Sequence, residues 1–187
     1  MVTGVPATGA TIQVRTSGVW GNYKITKIVF PKSADVDIAV MGTGETVAQP
    51  YAIAVASGDE GPTFGQTVWF LGYPLEDGLS IRTKGGDFPF IKRGAISAVD
   101  ATNPDAVLWY VDGMNNHGFS GGPIVYWDFK THAYKILAVV EGFRYEAADA
   151  NVDGVTGRSN VLLNSGILVS YSIQHAIDAI DATLKKQ

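Results

Sequence analysis

The chain has 187 residues, 46% of them hydrophobic, and is therefore long enough to bury a substantial core. Its 14 basic and 18 acidic residues give a net charge of −4 without long runs of either sign, which predicts no nucleic-acid partner. The absence of cysteine excludes a disulfide framework and a cysteine peptidase. The chain contains no run of about eighteen apolar residues, so no membrane span is predicted.

Short apolar or alternating runs, separated by clusters of Gly, Pro, Asn and Asp, recur along the chain. They cover residues 11–15, 23–30, 37–41, 51–55, 67–72, 79–83, 90–99, 107–111, 122–127, 135–143 and 166–171. Many short strands with regularly spaced turns favour an all-β barrel or sandwich over a βαβ fold. One helix is predicted at the end, after a potential cap at Ser172, because apolar residues follow helical spacing there. Those residues are Ile173, Ala176, Ile177, Ile180 and Leu184.

The turn-rich segment at residues 57–65 is the predicted linker between two β units. The first unit covers residues 1–56, and the second covers residues 66–187 and includes the terminal helix. Residues 146–160 are rich in Ala, Asp, Asn and Gly, and they predict a long loop.

The strongest chemical motif is HGFSGGP at residues 117–123. Glycines around Ser120 allow a tight turn that exposes its hydroxyl and leaves backbone N–H groups free. The N–H groups of Gly118 and Ser120 would form an oxyanion hole, in which each donor typically contributes a factor of about 10² to 10³ in rate. The alternative interpretation is a glycine-rich hairpin turn with an incidental serine.

The motif GFSGGP followed by Ile124 and Val125 resembles the nucleophile motif of trypsin-like serine peptidases, particularly their bacterial HtrA/Deg-like branch. The segment DVDIAV at residues 35–40 is similar to the strand that carries the family's triad aspartate, and it matches Asp37 to that role. Asp112 matches an aspartate that the family often carries eight residues before the nucleophile. Further segments match in the same order: GQTVWFLGYP at 65–74, RGAISA at 93–98 and GILVSYS at 166–172.

The resemblance covers Thr11 to the C-terminus and implies two perpendicular antiparallel β-barrels of the chymotrypsin type, the first incomplete. It further implies peptide-bond hydrolysis through an acyl-enzyme on Ser120, with Asp37 as the orienting acid, no cofactor, and a peptide or protein as substrate. In this family a histidine precedes the aspartate in the chain, but residues 1–36 contain none. This chain alone is therefore expected to be slow or inactive.

Two interpretations of the missing histidine remain open. Either the chain is cut from a longer enzyme whose histidine lies just upstream of Met1, or it is a pseudo-peptidase that binds peptides without cleaving them. An incomplete barrel leaves strand edges unpaired and apolar surface uncovered, which favours the first interpretation. The histidines present, His117, His132 and His175, are expected to be structural or exposed rather than catalytic.

The resemblance implies a substrate pocket built from Met114, Val139, Val140 and Glu141. Met114 favours an apolar residue before the cleaved bond, whereas Glu141 would attract a basic side chain.

The segment DANVDG at residues 149–154 matches the opening of a calcium loop, with Asp149, Asn151 and Asp153 as weak candidate ligands. Asn160 stands where the bidentate glutamate is expected, and no flanking helices are predicted. An ordinary turn-rich loop is the favoured interpretation.

Overall fold

The computed structural model describes residues 6–16, 19–47, 53–56, 61–74, 81–83, 86–152 and 155–185. The described chain is mostly β-sheet and closes with one α-helix. The strands are β1 Thr11–Thr16, β2 Val19–Val29, β3 Val40–Thr43, β4 Ala54–Val55, β5 Thr67–Gly72, β6 Ile81–Thr83, β7 Gly86–Phe88, β8 Phe90–Asp100, β9 Leu108–Asp112, β10 Pro123–Asp128, β11 Ala133–Val152 and β12 Val155–Ser172. The helix α1 is Gln174–Leu184, and a 3₁₀ turn covers Pro104–Ala106.

Six antiparallel strands form a closed barrel in the second half of the chain. They pair in the order β10-β5-β8-β9-β12-β11, and β11 pairs with β10 to close the ring. Because the ring is closed, each of the six strands has a hydrogen-bonded neighbour on both sides. The paired residues therefore offer no free strand edge for aggregation. The predicted all-β fold with an antiparallel β-barrel and a C-terminal helix is confirmed.

The barrel interior is filled by the inward-facing residues of the alternating strands. Strand β5 shows the period directly, because Val68, Phe70 and Gly72 are buried while the residues between them are more exposed. Phe119, from the loop before β10, is fully buried and meets Phe70 at 5.4 Å between ring centroids in an edge-on contact. A side chain of this kind contributes about 1.5–3 kcal/mol through burial, so the core anchors the loop that carries Ser120.

The first part of the chain forms a three-stranded antiparallel sheet in the order β1-β2-β3. Only one residue of β2, Ile25, is buried, and no pairing among the described strands closes this sheet into a ring. The segment before β3 attaches the sheet to the rest of the molecule, because Val36 and Ile38 cluster with Ala176 of the helix.

The predicted helix is present, but its buried face differs from the predicted one. His175, Ala176 and Ala179 are buried, whereas Ile180 is 41% exposed and Leu184 is 61% exposed. Ala176 packs against the Val36–Ile38 segment, and the helix also lies against β2, β3 and β12. No helix in the described ranges is long and apolar enough to cross a membrane.

Two further placements differ from the sequence-based expectation. The backbone of residues 146–152 and 155–160 forms the outer part of an antiparallel ribbon between β11 and β12, so the prediction of a long loop is wrong there. Backbone pairing between facing strands outweighs the turn-forming composition. Strand β4, which precedes the predicted linker, pairs in parallel with Lys135 and Ile136 of β11 on the second barrel. The division at residues 57–65 stays a prediction.

Candidate active site

Ser120 lies on a tight turn between β9 and β10, and its side chain is exposed. Gly118 and Gly121 adopt positive φ angles of 93° and 83° on either side of it. The turn is fixed by a 2.9 Å hydrogen bond from the Gly122 N–H to the Phe119 carbonyl. The Gly121 N–H donates to the Val140 carbonyl at 2.8 Å, which ties the turn to β11. The sequence-predicted turn around Ser120 is therefore present.

The glycines are required because the turn packs directly against the end of β5. A Cβ atom added to Gly118 would lie 2.1 Å from the Tyr73 carbonyl oxygen, and one added to Gly122 would lie 1.9 Å from the Leu71 carbonyl oxygen. Contacts this short do not occur between real atoms of these types. The Tyr73 N–H also donates to the Gly118 carbonyl at 2.8 Å. Close backbone approach thus holds the turn at this place on the barrel.

The two predicted oxyanion donors are unengaged within the described part of the chain. Neither the Gly118 N–H nor the Ser120 N–H donates to another group there. Both belong to the same positive-φ turn, while the carbonyl groups of Gly118 and Phe119 are held by Tyr73 and Gly122. The N–H groups are therefore available to an acceptor from outside the protein.

The Ser120 hydroxyl donates a 2.8 Å hydrogen bond to the Glu141 carbonyl oxygen. A peptide carbonyl is far too weak a base to take the proton of an attacking hydroxyl, so this contact holds the side chain without activating it. The bond spans from the turn to β11, and it gives Ser120 a defined orientation.

Within the described structure, none of the three histidines forms a hydrogen bond with Ser120. His117 makes an edge-on contact with the Phe143 ring at 6.0 Å, and His132 takes a positive φ of 50° in the β10–β11 hairpin. His175 is buried, and its Nε2 accepts a 2.8 Å hydrogen bond from the Val107 N–H. These roles agree with the expectation that the histidines are structural or exposed.

Asp37 lies in the extended segment before β3, and its side chain is exposed between the buried Val36 and Ile38. Tyr171, on β12 of the barrel, contacts this segment. Its hydroxyl donates to the Asp35 carbonyl at 2.7 Å. Burial raises the pKa of the Tyr171 phenol, the Glu141 carboxylate adds to the increase, and the backbone of Asp37 opposes it through a hydrogen bond. Tyr171 therefore ties the segment that contains Asp35 and Asp37 to β12.

The four predicted substrate-pocket residues differ widely in exposure. Met114 is 56% exposed, whereas Val140 is 2% exposed and packs in the barrel core. Val139 packs beside the Val36–Ile38 segment. Glu141 is exposed and contributes its backbone carbonyl to Ser120. Their role in substrate binding stays a prediction, and the Val140 side chain faces away from solvent.

A cavity with a volume of about 490 Å³ borders Ser120. It lies between the end of β5 and the turn, and no charged residue belongs to its described lining. The lining residues are Leu71, Gly72, Tyr73, Pro89, Gly118, Ser120, Gly121, Gly122 and Pro123. Sequence reasoning missed this cavity because it depends on how closely Gly118 and Gly122 approach β5.

Sequence reasoning also missed two side chains that hold the segment before Ser120. Asn115 is 1% exposed; its Nδ2 donates to the Gly142 carbonyl at 3.2 Å, and its Oδ1 accepts from the Asn116 N–H at 2.8 Å. Lys92, on β8, donates to the Met114 carbonyl at 2.9 Å. The sequence did contain a signal for Lys92. It lies two residues from Phe90 and Gly94 and four from Ile96, so the alternation of a strand places it on the inward face of β8.

Two of the weak calcium candidates, Asp149 and Asn151, lie on β11. The backbone of Asp149 pairs with Asn160 and that of Asn151 with Thr156, and Asp153 lies outside the described residues. Across the described ranges, no group of three or more His, Asp or Glu residues could hold a metal ion.

No family model matches the chain. No curated protein matches it. Among solved structures, the chain is similar to the crystal structure of Rv3671c from M. tuberculosis H37Rv, a serine-to-alanine mutant in an inactive form. The two chains are 18% identical, the TM-score is 0.48, and the alignment covers 89% of this chain and 68% of that one.

Proposed function

We propose that this chain is part of a trypsin-like serine endopeptidase that hydrolyses peptide bonds through an acyl-enzyme on Ser120. The observation that carries the proposal is the turn itself. An exposed serine hydroxyl, two N–H groups without a described partner and an adjacent cavity all belong to it. Acyl transfer needs these three features together: a nucleophile, donors for the oxyanion, and space for the substrate.

The proposed chemistry begins with attack of the Ser120 oxygen on the carbonyl carbon of the scissile peptide bond. The hydroxyl proton passes to a general base, and the carbonyl oxygen becomes an oxyanion that accepts hydrogen bonds from Gly118 and Ser120. Collapse of this intermediate breaks the C–N bond, and the amine leaves with the proton from the base. Water then attacks the acyl-enzyme by the same route and releases the acid.

The general base is proposed to be a histidine on a segment preceding Met1, oriented by Asp37. The extended segment of Asp37 is fixed to the barrel through Tyr171 and through burial of Val36 and Ile38, which supports a carboxylate held in a defined place. Without the base, only binding and the oxyanion donors act, which leaves roughly 10³ to 10⁴ over the uncatalysed rate. To react, Ser120 must exchange its bond to Glu141 for one to the base.

The proposed substrate is a peptide or protein. The uncharged lining of the cavity beside Ser120, with Leu71, Tyr73 and Pro89, favours an apolar side chain next to the cleaved bond. The site residues require no cofactor for this reaction.

Labelling with a fluorophosphonate probe tests the proposal. The probe is applied to this chain, to a version extended upstream with its histidine, and to Ser120→Ala variants of both. We expect the extended form to label at least 10³ times faster than this chain, and Ser120→Ala to abolish labelling. Absence of labelling in the extended form, when circular dichroism shows it to be folded, would overturn the peptidase proposal.

The second candidate function is a non-catalytic module that binds peptides. It is favoured by the three-stranded sheet, whose outer strands β1 and β3 each have only one partner among the described strands. A peptide can add to such an edge through main-chain hydrogen bonds. Saturable binding of an extended peptide by the Ser120→Ala variant, together with no labelling of either unmutated form, would support this alternative.

A further inference from the structure

Lys92 occupies an unusual place for a lysine in this barrel. It lies on β8 directly opposite Phe70 of β5, and Phe70 is fully buried in the core. Residues opposite each other in an antiparallel pair point to the same face of the sheet. The Lys92 side chain therefore runs along the inner face of the barrel wall and is half-buried rather than extended into solvent.

The ammonium group contacts three residues of one short segment, residues 114–119, which leads into Ser120. Its Nζ donates to the Met114 carbonyl at 2.9 Å and to Oδ1 of Asn116. It also lies 5.2 Å from the centroid of the Phe119 ring, within the range of a cation–π contact. One side chain thus holds the beginning, the middle and the end of the segment.

None of these three partners carries a charge, and among the described residues Lys92 forms no ion pair. A half-buried ammonium without a carboxylate loses hydration that no counter-charge restores. Burial accordingly lowers the pKa of Lys92 from its usual value. A neutral side chain of similar length would avoid this cost but would lose the hydrogen bonds to Met114 and Asn116.

We propose that Lys92 is a positioning residue that holds residues 114–119 and thereby keeps Gly118 and Ser120, which both line the cavity, in place for the substrate. This inference rests on the proposed function of Ser120. Charge-assisted hydrogen bonds are about twice as strong as neutral ones, and a lysine can donate three in different directions. The Asn115 side chain fixes the same segment to β11, and Asn164 of β12 donates to the Asn115 carbonyl, so Lys92 supplies an attachment from the opposite wall of the barrel.

Hydrogen exchange tests the positioning role without requiring any reaction at Ser120. The reporter amides are Tyr73, which donates to the Gly118 carbonyl, and Gly122, which donates to the Phe119 carbonyl. We expect Lys92→Met to raise their exchange rates at least 10-fold, with strand β9 unchanged. Lys92→Arg should restore most of the protection, because the guanidinium keeps the charge. Lys130→Met, at an exposed position of the β10–β11 hairpin, is the matched control. Equal exchange in the Lys92→Met and Lys130→Met variants would overturn the inference.

Labelling of Ser120 in the extended, histidine-bearing chain gives the second readout. We expect Lys92→Met to slow it at least 10-fold at unchanged circular dichroism, and Lys92→Arg to recover it. In the unmutated protein the labelling rate should also fall as pH rises through the lowered pKa of Lys92, and this fall should be absent from Lys92→Arg. Increased exchange with an unchanged labelling rate would assign Lys92 to the fold alone and overturn its role at the site. If the unmutated extended chain does not label at all, the proposed function fails, and the exchange data still report on the segment.

Discussion

Three glycines around Ser120 allow backbone strain and steric collision to be separated by substitution with alanine. Gly121 has a positive φ but open space around its Cβ position, whereas Gly122 has an ordinary φ but a Cβ position 1.9 Å from the Leu71 carbonyl oxygen. Gly118 has both features, since its φ is 93° and its Cβ position lies 2.1 Å from the Tyr73 carbonyl oxygen. The structure therefore predicts an order of effects rather than a single effect.

The magnitudes follow from the two costs. A left-handed conformation costs an alanine about 1–2 kcal/mol, so Gly121→Ala should lower the free energy of unfolding by that amount. Overpacking against backbone costs about 1–3 kcal/mol, which is the expectation for Gly122→Ala. Gly118→Ala combines both and should lose about 2–5 kcal/mol. For a chain of this size, each kcal/mol corresponds to about 2–4 °C in the melting temperature.

Urea unfolding followed by tryptophan fluorescence measures the three free energies, and unchanged slopes would show that the unfolded states are comparable. The expected order of destabilisation places Gly118→Ala first by at least about 1 kcal/mol over Gly121→Ala. If the Gly118 and Gly121 variants were equally stable, the turn would not approach Tyr73 as closely as the structure shows. Wild-type stability of Gly122→Ala would refute the contact with Leu71.

Two further predictions concern contacts away from Ser120. The Lys135 ammonium, 2.7 Å from Asp128, is the main reason why the pKa of the Asp128 carboxyl is held well below its usual value. Its stabilisation is therefore complete above the unfolded carboxyl pKa of about 3.9 and is lost as pH falls toward the lower folded pKa. Asp128→Asn should be less stable than wild type in urea unfolding at neutral pH, with a smaller difference in strong acid; an equal difference at both would contradict this linkage. Tyr171→Phe removes the bond to the Asp35 carbonyl and should cost about 0.5–1.5 kcal/mol, with faster amide exchange in the buried Val36 as the local readout; unchanged exchange would show that the bond does not hold this segment.

The strands of the second barrel could be predicted from the sequence because alternation and turn residues agree there. The run at residues 67–72 coincides with β5, and the runs that begin at Phe90 and Gly122 lie within one residue of the starts of β8 and β10. The outer ribbon of β11 and β12 could not be predicted, because its Ala, Asp, Asn and Gly composition is typical of loops. Its hydrogen bonds come from the facing strand, and composition alone does not reveal that residues such as Asp149 and Asn160 pair.

At the candidate site, the turn could be predicted and its surroundings could not. The motif at residues 117–123 contains the information for a glycine turn, since positive φ angles and missing Cβ atoms are properties of single residues. Val140 shows the limit, because the resemblance matched it to a pocket, whereas the packing of its side chain in the barrel core depends on the whole fold. Lys92 is a second example of a residue whose contacts the sequence does not reveal. Its partners depend on which loop passes over the end of β8, and that contact joins residues 22 to 27 positions apart.

The bond from Ser120 to Glu141 links the two candidate functions. A hydroxyl that already donates to a carbonyl leaves that bond only for a stronger acceptor, and a neutral imidazole is one. A base would thus orient the serine oxygen for attack and release the Glu141 carbonyl to accept a hydrogen bond from an extended ligand. Without a base, the serine stays on the carbonyl, and a ligand strand that pairs with Glu141 must share that acceptor with it. A peptide that adds to the edge of β1 or β3 does not touch this contact, so the module hypothesis predicts equal affinity for the unmutated chain and for Ser120→Ala. Tighter binding by Ser120→Ala would instead place the peptide at Glu141.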